Sequence, residues 1–87
     1  MIKYYGTQLC PDCVEAEAKL KEKEICCEFI RITESTANLK EFLKLRDQRK
    51  EFDEIKKQGN IGIPCFLRED GTITFDVLEL VGVEPSS

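Results

Sequence analysis

Eighty-seven residues, 41% of them hydrophobic and 34% charged, describe one soluble globular domain with a modest core, not a disordered chain. The formal net charge of -4 and a pI near 4.9 set nucleic acid and anionic membranes aside as partners. No apolar run approaches the ~18 residues of a membrane span, and Met1–Gly6 lacks the apolar heart of a signal peptide. A cytoplasmic monomer is therefore expected, a single domain over 1–87 with a flexible tail over 81–87. Five cysteines in a reducing compartment are thiols by default, and an odd number argues against full pairing. The absence of histidine removes the commonest neutral-pH base and any Cys-His zinc site.

Ile2–Tyr5 predicts a short strand, bounded by Gly6, with Gly6–Leu9 as a loop. Tyr4 and Tyr5 read as strand residues with one face buried. Pro11 to about Glu24 predicts a helix, because proline's missing N–H is not needed at the first helical position. Glu15 and Glu17 favour its start, and Lys19, Lys21 and Lys23 its end. Ala16 and Leu20, four apart, mark its buried face. Cys26–Ile32 predicts a second strand whose poor alternation suits cover on both faces. Strand, helix and strand within roughly thirty residues form a βαβ unit, so these strands are expected to run parallel.

Ser35 or Thr36 caps the next helix, with Leu39, Phe42, Leu43 and Leu45 as its apolar stripe. Charge then dominates from Arg46 to Lys57 around Phe52 and Ile55. This predicts a further helical turn or two ending at Gly59, with Arg46–Glu51 as a solvated face. Ile63–Leu67 and Ile73–Phe75 predict two strands joined by a tight turn over Glu69–Thr72, where Asp-Gly is a strong hairpin signal. Asp76 caps a brief last helix through Leu80. The expected order is βαβαββα, an α/β fold with a four-stranded mixed sheet flanked by helices.

Cys10-Pro11-Asp12-Cys13 falls where the first strand hands over to the first helix. A Cys-x-x-Cys in that place reads as a redox dithiol, because unpaired amides and the positive helix end favour the thiolate of the first cysteine. The thiolate is the attacking species in disulfide exchange. Cys13, one turn later, is placed to resolve the mixed disulfide formed at Cys10. A metal pair is the competing reading. A closed zinc site needs four ligands, however, and the chain has one Cys-x-x-Cys.

With Ile63-Pro64 opening the third strand, this order resembles the glutaredoxins and the wider thioredoxin-like fold from Ile2 to about Leu80. The resemblance implies a dithiol disulfide oxidoreductase in which Cys10 attacks, Cys13 resolves, and Pro11 and Asp12 tune the pair. Pro64 is by resemblance a cis-proline that turns the backbone of Ile63 toward the substrate. Asp76 is by resemblance a contact for the glutathione amino group. The substrates implied are protein disulfides or low-molecular-weight mixed disulfides. No bound cofactor is implied; glutathione, another thiol or a reductase serves as reductant.

The chain departs from the family pattern in three places. Asp12 replaces the usual tyrosine, and a carboxylate there opposes a neighbouring thiolate, so a more reducing couple is expected. Thr7 stands where a lysine or arginine is usual, and Thr74-Phe75 where a glycine pair is usual. Both bear on whether glutathione is the reductant. A rival reading is an iron–sulfur or soft-metal carrier or sensor that uses Cys10 with Cys13 or Cys65, since thiolates suit such metals. Cys65 reads either as that third thiol or as a small buried hydrophobe. Cys26 and Cys27, pointing to opposite faces of a strand, read as packing residues.

Overall fold

The computed structural model describes residues 1–81. Its elements in chain order are β1 (Ile2–Gly6), α1 (Pro11–Glu22), β2 (Cys27–Arg31), α2 (Thr36–Gln48), a 3-10 turn (Lys50–Phe52), α3 (Asp53–Lys57), β3 (Cys65–Leu67), β4 (Ile73–Thr74) and α4 (Val77–Val81). Apart from Val81, which closes α4, the tail expected to be flexible lies outside the described residues. Among the described residues no helix is long and apolar enough to cross a membrane.

The four strands form one mixed sheet in the order β2-β1-β3-β4. β1 runs parallel to β2, as a βαβ crossover requires, and antiparallel to β3. β3 and β4 form the hairpin, with the Asp70 carboxylate accepting from the Thr72 backbone N–H at 2.9 Å in its turn. Because β1 is central, both faces of it are covered. Tyr4 and Tyr5 are each buried, on opposite sides of the sheet, rather than one face being exposed.

Two half-cores result. On one face Tyr4 and Phe66 meet Cys13, Ala16 and Leu20 of α1, with Val77 and Leu80 of α4 beside them. On the other face Tyr5, Ile30, Ile32 and Cys65 meet Phe42 of α2 and Phe52 of the 3-10 turn. Helices thus cover both faces, and the fold is α/β with a four-stranded mixed sheet.

The second strand corrects its expected cover. β2 is an edge strand, and Phe29 is 39% exposed. Its irregular pattern arises because Ile30 enters one half-core while Phe29 stacks against Tyr4 on the other side, ring centroids 5.0 Å apart. Cys26 is also corrected: it is exposed, whereas Cys27 packs against the α1 half-core. In α2 the buried anchor is Phe42, while Leu39 and Leu43 stay partly exposed. Ser35 is the cap, its hydroxyl accepting from the Asn38 backbone N–H at 3.1 Å.

The charged run that begins in the last turn of α2 is more than a solvated face. Arg46 donates to the carbonyls of Asn60 and Ile61 at 2.7 and 2.9 Å. Arg49 donates to the carbonyl of Gly71 at 2.9 Å while holding Glu51. Both arginines brace loops by taking up their backbone carbonyls.

Candidate functional site

The chain passes one end of the sheet four times. The segments that follow β1, β2 and β4, and the one that precedes β3, all emerge there, because β3 runs opposite to the other three. They enclose a cleft of about 860 Å³ lined by Thr7, Cys10, Asp12, Ile63, Pro64 and Asp76, among others. The sequence-predicted residues therefore share one concavity, except Pro11, which is exposed outside its lining, and Cys13, which lies beneath it. Apolar side chains complete the lining: Ile32 after β2, Ile55 of α3, Ile61 before β3 and Phe75 after β4, with Leu9 and Val77 beside them.

Cys10 is the N-cap of α1. Its backbone is extended, its carbonyl accepts the first helical bond from Val14 N–H at 3.0 Å, and its side chain makes no capping bond. The first amides of α1 consequently face the Cys10 thiol without a side-chain acceptor of their own. Pro11 occupies the first helical position, where it costs no hydrogen bond. Cys10 is half-buried and Asp12 exposed.

Cys13 is fully buried under Cys10. Burial pushes its thiol up to about 11 from an ordinary 9.0. The neighbouring Cys10 adds to the rise, while the Thr7 backbone and the Tyr4 hydroxyl hydrogen-bond to the thiolate and pull it back. The two cysteines of the motif are thus distinct, one reachable from the cleft and one held protonated in the core.

Cys65 does not join them. In the ladder Tyr5 pairs with Cys65 and Tyr4 with Phe66, so Cys65 faces the half-core opposite to Cys13. Burial pushes its thiol up to about 12. This register sets Cys65 on the far side of the sheet from Cys13, since alternate strand residues point to opposite faces. Among the described residues no three histidine, cysteine, aspartate or glutamate side chains group to hold a metal ion.

The Ile63–Pro64 peptide bond is cis. Asp76 is the cap of α4, its carboxylate accepting from the Leu78 backbone N–H at 2.9 Å, and it also faces the cleft. Thr7 is buried, its hydroxyl 2.8 Å from that of Thr33, which follows the neighbouring strand and also lines the cleft. Thr74 turns away from the cleft and donates to Glu79, while Phe75 lines the cleft and rests edge-on against Phe52 at 5.0 Å.

One group the sequence reading passed over is Glu17. Its place in the sequence predicts only a favourable charge at the helix start, yet it reaches back to accept from the Tyr4 hydroxyl at 2.8 Å and pairs with Arg31 at 2.8 Å. Nothing in the linear spacing of these three residues signals the contact; it needs the β1–β2 register that sets Arg31 beside Gly6.

The buried thiols give a stability prediction. Below pH 9 the folded and unfolded chains both keep these protons, and the contribution of Cys13 and Cys65 is intact. Above it the unfolded chain releases them first, so stability is lost as the pH climbs through the native values of about 11 and about 12. Urea midpoints followed across that window are expected to fall, and to fall less in Cys65→Val. Equal slopes in wild type and Cys65→Val would contradict the assignment to Cys65.

No protein-family model matches the chain. No solved structure matches it either. A protein of Haemophilus influenzae, described as an uncharacterized protein, is 36% identical to it over 79 residues, which span 91% of this chain and 91% of that protein. At that identity over nearly the full length of both, the chain belongs to one family with the Haemophilus influenzae protein.

Proposed function

We propose that the protein is a glutaredoxin-like thiol–disulfide oxidoreductase of thioredoxin-like fold, working through Cys10 and Cys13. The observation that carries this reading is the single cleft in which Cys10, at the start of α1, faces Ile63, Pro64 and Asp76 while Cys13 lies buried below. The chemistry follows from that division. Cys10, as thiolate beside the free amides of α1, attacks a substrate disulfide and forms a mixed disulfide. Cys13 then attacks the Cys10 sulfur, releasing the substrate thiol and leaving a Cys10–Cys13 disulfide. An external thiol or a reductase returns the pair to the dithiol. The cleft walls are apolar enough to receive a peptide segment or the carbon chain of a small disulfide.

The reductant is best read from charge. Asp12 and Asp76 line the cleft, and among the described residues no lysine or arginine does. The carboxylates of glutathione meet no cation there, and the position usual for one is the buried Thr7. Turnover of a neutral disulfide such as hydroxyethyl disulfide, compared with glutathione or a thioredoxin-reductase system as electron source, tests the activity and its donor together. Absence of turnover with either donor, together with a Cys10–Cys13 pair that never oxidises, would remove the enzyme reading.

Asp12 supplies a second test. Its carboxylate adds a negative charge to the cleft beside the pair, and charge there sets the balance between dithiol and disulfide. Asp12→Tyr is expected to make the couple more oxidising by tens of millivolts, where roughly 30 mV corresponds to ~1.4 kcal/mol for two electrons. Redox titration of both proteins against a dithiol buffer reads the difference, and an unchanged or more reducing variant would contradict it.

A further inference from the structure

The exchange chemistry leaves one proton unaccounted for. When Cys13 attacks the mixed disulfide its sulfur must lose a proton, yet it is fully buried and the chain has no histidine to take it. Three observations converge on the side of Cys13 away from the cleft. First, the chain comes so close at Gly6 that a Cβ there would overlap the Tyr4 hydroxyl and lie 3.0 Å from Cys13 Sγ. Glycine at this position leaves the Tyr4 oxygen and the Cys13 sulfur in the same small space. Second, the Tyr4 hydroxyl, inside a fully buried residue, donates to Glu17 Oε2 at 2.8 Å; its approach to the Cys13 carbonyl is longer, at 3.4 Å. While Cys13 is a thiol, the single hydroxyl proton serves the carboxylate and the oxygen's lone pairs are open to the thiol; once Cys13 is a thiolate, the hydroxyl donates to it instead. Third, Glu17 is held by Arg31 Nη2 on its other oxygen at 2.8 Å, and its side chain keeps 17% of its surface in solvent.

We infer that Tyr4 receives the Cys13 proton during the resolving step and that Glu17 is the positioning residue that draws it outward. This rests on the reading of the pair as an exchange dithiol. In the step, a bond forms between Cys13 Sγ and Cys10 Sγ as the bond between Cys10 Sγ and the substrate sulfur breaks. The substrate sulfur leaves with that electron pair as a thiolate. The Cys13 proton moves to the Tyr4 oxygen while the Tyr4 proton moves to Glu17 Oε2, from which solvent removes it. The dithiol is oxidised and the substrate sulfur reduced, with no further reagent.

Tyr4 need not become a tyrosinate. Burial, with the Glu17 hydrogen bond next, pushes its phenol far above the ordinary range, so the hydroxyl passes a proton without holding a charge. The groups facing Cys13 are few. β1 contributes Tyr4, α1 contributes Cys10 and Glu17, and β2 contributes Cys27 with Arg31 reaching Glu17. β3 and α4 present Phe66, Val77 and Leu80, and α4 also carries Glu79, which accepts from Thr74 on the same face of the sheet. Arg31 also lies 5.2 Å from the centre of the Phe29 ring, which fixes its guanidinium against the sheet edge.

The resolving step can be watched alone. Cys10 is loaded with 5-thio-2-nitrobenzoate from Ellman's reagent at low pH, the pH is jumped, and release of the coloured thiolate reports attack by Cys13. Glu17→Gln and Tyr4→Phe are each expected to slow release about tenfold near neutral pH, within the range of general-base effects, and to move the rise of rate toward higher pH. Combining them should cost little more than Tyr4→Phe alone, since both act on one proton. Attack by Cys10 itself, followed in a Cys13→Ser background, should be unchanged by Glu17→Gln. Glu15→Gln, at an exposed carboxylate of the same helix, should alter neither step. Release rates and pH profiles in folded Glu17→Gln and Tyr4→Phe that match wild type would overturn the relay. So would equal slowing of both half-reactions, which marks a merely structural contact. A wild-type adduct that releases nothing would instead remove the exchange reading, and the relay with it.

Discussion

Cys10→Ser is expected to lower disulfide turnover a thousandfold or more, the scale on which losing a nucleophile acts. The reason lies in the asymmetry of the pair. Cys10 reaches the cleft from the first amides of α1, whereas Cys13 is fully buried with its thiol pushed up to about 11. A serine hydroxyl at position 10 supplies no thiolate, and Cys13 cannot take over an attack on a substrate it cannot touch. Cys13→Ser should behave differently. The first attack survives, the mixed disulfide is no longer resolved from within, and adducts accumulate on Cys10. Mass spectrometry after exposure to a cell extract under non-reducing conditions reads both outcomes. The reverse pattern, with turnover kept in Cys10→Ser and adducts on Cys13, would overturn the order of attack.

Phe52→Ala is expected to cost about 3–5 kcal/mol, a large share of the roughly 5–15 kcal/mol that holds a small domain together. Phe52 is fully buried in a 3-10 turn of three residues, so its place is held by packing rather than by helix length. Its ring lies 5.8 Å from Phe42 and 5.0 Å from Phe75, both edge-on. The backbone at Gly62 presses against it so closely that a Cβ there would come within 2.8 Å of its ring. Phe75 and Gly62 line the cleft, and truncating Phe52 therefore loosens the cleft wall as well as the core. Urea unfolding is the measure: Phe52→Leu should retain most of the stability, losing about 1–2 kcal/mol. A loss under about 1 kcal/mol for Phe52→Ala would show that this side of the sheet repacks without it.

Features set by neighbours in sequence were legible before any coordinates. Pro11 after Cys10 marked the start of α1, Ser35 the start of α2, and Asp70-Gly71 the β3–β4 turn, because each acts on backbone within a few residues. What the linear pattern could not carry was register. Nothing local tells that Tyr4 and Phe66 share one face of the sheet while Cys65 takes the other, or that β2 ends up at the edge with Phe29 half in solvent. The same limit hid the contact of Glu17 with Tyr4 and Arg31, which joins three elements. Arg46 and Arg49 looked like solvated charges for a related reason: the carbonyls they hold belong to loops distant in sequence. At the site, the residue types at Cys10, Cys13, Pro64 and Asp76 were readable, but the apolar walls from Ile32, Ile55, Ile61 and Phe75 were not.

The central claim is that Cys10 and Cys13 form one reversible redox couple, and an equilibrium redox titration addresses it most directly. The protein is poised in dithiothreitol buffers of graded potential, acid-quenched, alkylated and weighed by peptide mass. A single two-electron transition is expected, in which Cys10 and Cys13 are protected together while Cys26, Cys27 and Cys65 remain alkylated as free thiols. A chain in which Cys10 and Cys13 stay reduced at every potential, or oxidise to other partners instead of to each other, would contradict it.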